Sequence, residues 1–449
     1  MIPAFKSLRW PEAPAYVIRN ARVPLPFLGS SAPPVSADAE GLVPADLHVA
    51  EGKIAAVVMG AARSADGNQG PSIDLGGRQV WPGLVDLHTH LDKAHTIGRS
   101  PNPDGTFNSA RLAATADRPL RSHADIVRRM DFGLRAAYAH GVAAIRSHLD
   151  TYPDNAETTW AAASEMAVRW TDRITLQLVS LCPIDLLQDA FGDHVAALVA
   201  AAGGVLGGVT RSSLGPGPIP EADLTVMLDR LFALAARHDL DVDLHVDESG
   251  DPNANTLPHV ARAALRHGYA GRVTCGHCCS LAVQPEAQAL ATLDLLAEAR
   301  ISIVTLPTVN MYLQDRVAGR TPRWRGVTLV RETRQRGILV AAAGDNCRDS
   351  FYAYGDHDMV DTFRQAVRIL HLDHPISEAT ALVGPLPARI ARLAGTCGSL
   401  EPGMPARLIA FNARSMDELI ARPQSDRVVI DAGKPVTAAV PDYSELWDD

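Results

Sequence analysis

Eight short apolar runs, at residues 84–90, 143–149, 174–181, 205–209, 242–246, 272–277, 301–306 and 337–344, punctuate the middle of this chain. Between them lie longer stretches, such as 124–140, 222–238 and 258–267, with apolar residues at three- and four-residue spacing. The short runs read as strands and the longer stretches as helices. Strand–helix alternation makes successive strands parallel, because each helix carries the chain back across the sheet. Eight such units predict an α/β chain of the (β/α)8 TIM-like barrel class.

The flanks read differently. Residues 16–23 and 46–58 are short and β-like, with Gly52 at the turn of a hairpin and a Pro/Ser/Ala-rich loop at 24–44. Residues 403–412 and 427–436 again read as short strands joined by turns. Neither end has enough strands to bury a face alone, so both are expected to meet in one small composite β domain. The expected division is 1–82 for the N-terminal part of that domain, 83–395 for the barrel, and 396–449 for the C-terminal part.

Composition excludes several classes of function. The 449 residues are 47% hydrophobic and 21% charged, which suits a large packed core. With a formal net charge of -9 and no dense Lys/Arg run, nucleic acid and anionic membrane are poor partners. Residues 1–10 lack the apolar centre of a secretory signal, and the Ala-rich stretch at 196–202 is too short to span a bilayer. A cytoplasmic location and a small-molecule substrate are the expectations. Six scattered cysteines do not make a disulfide scaffold. Cys275 and Cys278 form a C-x-x-C, but no second ligand pair follows at zinc-site spacing, so buried, reduced cysteines are expected.

In a barrel of this class, chemistry gathers where strands end. The first run ends in His88 and His90, which lie two apart and therefore face the same side of a strand. The second ends in Arg146-Ser147-His148-Leu149-Asp150, the fifth in His245-Val246-Asp247-Glu248, the sixth in Cys275-Gly276-His277, and the eighth in Asp345-Asn346. A single histidine above a strand is an ordinary polar residue; histidine or aspartate closing five of eight strands is a pattern. His88, His90, His245 and Asp345 would hold one divalent transition metal, zinc or ferrous iron, since imidazole and carboxylate suit both. Such an ion lowers the pKa of water from about 15.7 toward 7. Asp345 could accept the water's proton, Glu248 could carry a proton to the reacting atom, and His277 could orient the nucleophile or polarise the substrate. These are the parts of a hydrolytic C–N or C–O cleavage.

With these residues assembled, the chain resembles the amidohydrolase superfamily, and within it the bacterial cytosine deaminase-like family. The landmarks are Pro82-Gly83-Leu84-Val85-Asp86-Leu87-His88-Thr89-His90-Leu91-Asp92, Arg146 to Asp150, His245 to Glu248, and Leu306 to Arg316. They continue through Pro322 to Thr328 and Leu400 to Leu408, so the likeness spans nearly the whole chain. The resemblance implies a distorted (β/α)8 barrel, one mononuclear iron or zinc ion on His88, His90, His245 and Asp345, and Glu248 and His277 as proton shuttle and activator. It further implies hydrolytic loss of an exocyclic amine from a cytosine-like nitrogen heterocycle, by a homo-oligomer.

Three departures bear on the substrate. Pro183 stands where cytosine deaminases carry a glutamine that hydrogen-bonds the pyrimidine. Asp345 is followed by Asn346 where those enzymes have a second aspartate, and His90 is followed by Leu91-Asp92-Lys93. The last two features look like the isopropylammelide amidohydrolase branch, which removes an alkylamine from a triazine, although that branch lacks a glutamate at the Glu248 position. Hydrolysis of an N-alkyl-amino substituent or a cyclic amide is therefore the alternative reaction. Lys93, Pro183, Asn310, Gln314 and Asn346 are the candidate substrate contacts. Lys93 has a second reading as the partner of Asp92 or another acid. A noncatalytic binding protein on the same scaffold is the remaining alternative, but such proteins usually lose a ligand or the proton shuttle, and neither is missing here.

Overall fold

A computed structural model of the protein describes residues 4–29, 36–60, 70–213 and 218–447. Residues 30–35, within the expected loop at 24–44, lie outside the described residues. All eight expected central runs contain strands: Leu84–Thr89, Val142–Asp150, Thr175–Leu181, Leu206–Val209, Val242–Val246, Val273–His277, Ser302–Thr305 and Val340–Ala342. The helices His123–Ala139, Glu221–Arg237 and Leu257–Arg266 fall where the three-to-four spacing places them.

The strands assemble into ladders. The last five of the eight form one parallel sheet with neighbours in sequence order, and the first three form another in sequence order. Isolated parallel bridges join Val179 to Val205, Pro183 to Val209, and Thr89 to Asp345. Val242–Val246 and Val273–His277 are buried along their whole length, as strands covered on both faces must be.

The chain splits into two compact units. One comprises Met1–Asp86, Arg135–Ala144 and Asp358–Val440, and the other comprises Leu87–Leu134, Ile145–His357 and Pro441–Asp449. In the first, Ala15–Pro24 pairs with Leu42–Ala50, which turns at Gly52 (φ +75°) into Lys53–Met59. Its second sheet takes Val80–Pro82 from the N-terminal part and Leu408–Ala410, Val428–Asp431 and Lys434–Pro435 from the C-terminal part. This unit also takes in 358–395, beyond the flanks expected from sequence, because Phe363 of the helix Met359–Leu370 packs edge-on against Trp81 at 5.2 Å. Phe27 and Phe411 complete that aromatic core.

The second unit carries every candidate site residue. All six cysteines are buried and free, and among the described residues no helix is long and apolar enough to cross a membrane.

Candidate active site

His88 is the penultimate residue of the strand Leu84–Thr89, His245 sits in Val242–Val246 and His277 closes Val273–His277. Period-two alternation brings His88 and His90 to one side, and parallel neighbours deliver the other imidazoles beside them. The loop after Val340–Ala342 supplies Asp345, whose backbone N–H donates to the His88 carbonyl at 2.7 Å. His277 (φ +69°) and Asp345 (φ +62°) both hold left-handed backbone, a strained state for non-glycine residues that concentrates at functional sites.

Four donors converge. Nε2 of His88 lies 3.1 Å from Nε2 of His245, which lies 3.4 Å from Nε2 of His90. Asp345 Oδ1 is 3.1 Å from His90 Nε2 and 3.7 Å from His88 Nε2. Bonds of about 2.1 Å to one tetrahedral ion would separate the donors by roughly 3.4 Å, so the spacing fits a transition metal. His90 Nδ1 lies 3.1 Å from the His148 carbonyl oxygen and donates to it, which leaves the Nε2 lone pair for a metal. Burial first, then neighbouring imidazoles or Lys93, holds His88, His90 and His245 well below the ordinary histidine range. They are therefore in the neutral, ligating form. The residues present fit one divalent ion of the zinc or iron kind. His148 lies against the His88 ring, with centroids 3.9 Å apart, and one of its ring nitrogens falls within 4.8 Å of donors of His88 and His245.

Beside this group stand Glu248, His277 and Asn310. The Asn310 amide nitrogen donates to Glu248 Oε1 at 3.3 Å and lies 3.0 Å from His277 Nδ1. An amide turned the other way would set its oxygen against the carboxylate, so the nitrogen faces both partners. His277 Nδ1 then accepts, and its proton resides on Nε2, which has no protein partner. Burial, reinforced by Arg211, pushes His277 down to about 3, so the ring is neutral. Burial pushes the Glu248 carboxyl up to about 7, with Arg211 and Lys93 opposing the shift. A carboxyl in that range exchanges protons readily near neutral pH.

The other candidate substrate contacts follow strands or end a helix. Lys93 Nζ is 2.8 Å from Asp150 Oδ1, while Arg121 donates to Asp150 Oδ2 at 2.7 Å. The ammonium also sits 5.2 Å from the centre of the Phe351 ring. The Asn346 amide donates to Asp349 at 2.7 Å, and both are buried. Gln314 caps the helix Pro307–Leu313, near Gly250 and Gly326. Pro183 follows the strand Thr175–Leu181, bridged to Val209. Sequence reasoning did not find Arg121, which no local motif marks and which meets Asp150 across 29 positions. It also did not find the Arg211 guanidinium that donates to the Glu248 carbonyl at 2.7 Å.

A parallel α/β sheet with this donor set at its strand ends defines a class, and the sequence agrees: residues 134–437 match the Amidohydrolase family, to which the chain belongs. It is a hydrolase acting on C–N bonds, of a family whose members use a metal. Over 439 residues it is 47% identical to pterin deaminase of Rhizobium rhizogenes, covering 97% of each chain. It is 26% identical over 303 residues to N-isopropylammelide isopropyl amidohydrolase of Pseudomonas sp. (strain ADP), covering 66% of this chain and 70% of that protein. The crystal structure of 5-methylcytosine deaminase from Klebsiella pneumoniae liganded with 5-fluorocytosine superposes with a TM-score of 0.78 at 25% identity, covering 95% of this chain and 98% of that one.

Proposed function

We propose that this protein is a metal-dependent aminohydrolase that removes the exocyclic amine of a pterin-like heterocycle and releases ammonia. The observation that carries the reading is the convergence of three imidazole Nε2 atoms and Asp345 Oδ1 beside Glu248. His88, His90, His245 and Asp345 would hold the ion, zinc or ferrous iron. When bound, it would lower the pKa of water toward 7 and supply a nucleophile at neutral pH.

The rest is done by the chain. Glu248, with its carboxyl near 7, takes one proton of the attacking water and delivers it to the substrate nitrogen, while Asp345 accepts the other. Asn310 fixes both the carboxylate and the tautomer of His277, whose Nε2–H then points a donor at the reacting centre. The water oxygen takes the place of the amine on the ring carbon, and ammonia leaves with the transferred protons. Lys93, Pro183, Asn310, Gln314 and Asn346 are proposed to border the ring. Pro183 has no side-chain donor, which speaks against the glutamine-type contact that cytosine would need. We also propose that the two parallel sheets close into one eight-stranded barrel, supported by the Thr89–Asp345 and Val179–Val205 bridges.

The substrate class is taken from the 47% identical pterin deaminase, whose match covers 97% of this chain. Ammonia release from pterin, cytosine and N-isopropylammelide by metal-loaded protein tests it. Turnover of pterin well above the other two is expected. Isopropylamine from the triazine with none from pterin would instead favour the alkylamine reading, and no amine from any ring would overturn both.

A further inference from the structure

A second cluster of ligand-type side chains lies in the same unit. His95, Cys347 and His357 are each buried, and one donor atom from each falls within 4.8 Å of the others. Their segments are laced together: the His95 N–H donates to the Cys347 carbonyl at 3.0 Å, and the Ile97 N–H donates to the Arg348 carbonyl at 2.8 Å. His95 is 6% exposed, yet neither of its ring nitrogens has a hydrogen-bond partner. A neutral imidazole carries one N–H and one lone pair, and burial normally supplies a partner for each. Its ring meets Phe132 and His357 edge to face, at 4.8 and 5.3 Å between centroids, which fixes its orientation without satisfying the lone pair.

We propose that His95, Cys347 and His357 bind a second transition-metal ion of the zinc class, apart from the His88 group. Two imidazoles and a thiolate are a donor set that zinc takes readily, with one position left for water or another oxygen. The surroundings make room for the His357 imidazole. Gly133, inside the helix His123–Ala139, is the residue whose Cβ would come 2.9 Å from His357 Nε2. Glycine there costs helix propensity and is explained by the imidazole seated against it. The neighbouring Arg129 charge is held by Asp125 at 3.0 Å, and a thiolate at Cys347 would add a negative charge to the site. Cys347 follows Asn346, and His95 follows Lys93 by two positions. The ion would therefore staple together the loops that carry Lys93 and Asn346.

Metal analysis and cobalt substitution test this on the full-length protein. Two equivalents of metal per chain are expected, and His88→Asn/His90→Asn is expected to retain one. The His88 group contains no sulfur, so a thiolate-to-cobalt charge-transfer band in the cobalt protein reports the second site alone. That band is expected in the native protein and in Cys397→Ser, and its loss in Cys347→Ser. One equivalent in the native protein, absence of the band, or a band that survives Cys347→Ser would overturn the proposal. The first two readings need no variant, so a Cys347→Ser protein that fails to fold leaves the test intact.

Discussion

A Cβ added at Gly276 would lie 2.8 Å from Cε1 of His88 and 3.0 Å from its Nδ1. The residue between Cys275 and His277 is thus glycine because the neighbouring imidazole occupies the space a side chain would fill. Gly276→Ala should tilt His88 away from the other donors and weaken metal binding by about tenfold to a hundredfold, the usual cost of disturbing a ligand's orientation. Titration of the metal-free variant with zinc checks this. An affinity equal to that of the native protein would remove the steric role.

Glu248→Gln keeps the side chain's size and removes its ability to move a proton. Turnover should fall at least about a hundredfold with metal content unchanged. Full activity in a metal-replete variant would take Glu248 out of the mechanism.

The same carboxyl sets a pH dependence. Burial raises it to about 7 against the opposing charges of Arg211 and Lys93, and a metal ion nearby lowers it by favouring the charged form. The carboxylate is the active form, so protonation removes activity as pH falls. The acid limb of kcat/KM should therefore have a midpoint at or below about 7, and the residual activity of Glu248→Gln should lack it. A limb that persists in the variant would belong to another group.

Asn310→Leu removes the donor shared by Glu248 and His277 while leaving both in place. It should lower kcat by about tenfold to a hundredfold, in the manner of residues that orient a reacting group. Steady-state kinetics separate kcat from KM. A change in KM alone would make Asn310 a substrate contact only.

Asp150 bridges two buried cations, with Lys93 on one oxygen and Arg121 on the other. Lys93 and Arg121 together hold the Asp150 carboxyl well below its usual range, overcoming the opposing effect of burial. Asp150→Ala leaves both charges buried without their shared partner and should destabilise the protein by roughly 3–5 kcal/mol. Denaturant unfolding measures it, and a loss under about 1 kcal/mol would mean that the site behaves like an exposed pair.

Much of this was legible in the amino-acid order, for a physical reason. Short apolar runs and three-to-four spacing are local signals, and they located all eight central strands. The polar residues that end those runs marked His88, His90, His245, His277, Glu248 and Asp345, which the fold brings together. Relationships set by tertiary packing were not legible. Arg121 reaches Asp150 across 29 positions, and His95 meets Cys347 and His357 from separate loops at no recognisable spacing. The affiliation of 358–395 with the terminal strands depends on where Phe363 docks, on Trp81, and no periodicity announces that. Lys93 had two readings from sequence, and its ammonium faces Asp150 in the fold.

The central claim concerns one ion among four donors, and anomalous diffraction at the metal edge addresses it directly. Crystals of the metal-loaded protein should show a peak about 2.0–2.2 Å from Nε2 of His88, His90 and His245 and from Asp345 Oδ1. A map with no peak among those four atoms, from protein that still hydrolyses its substrate, would contradict the account.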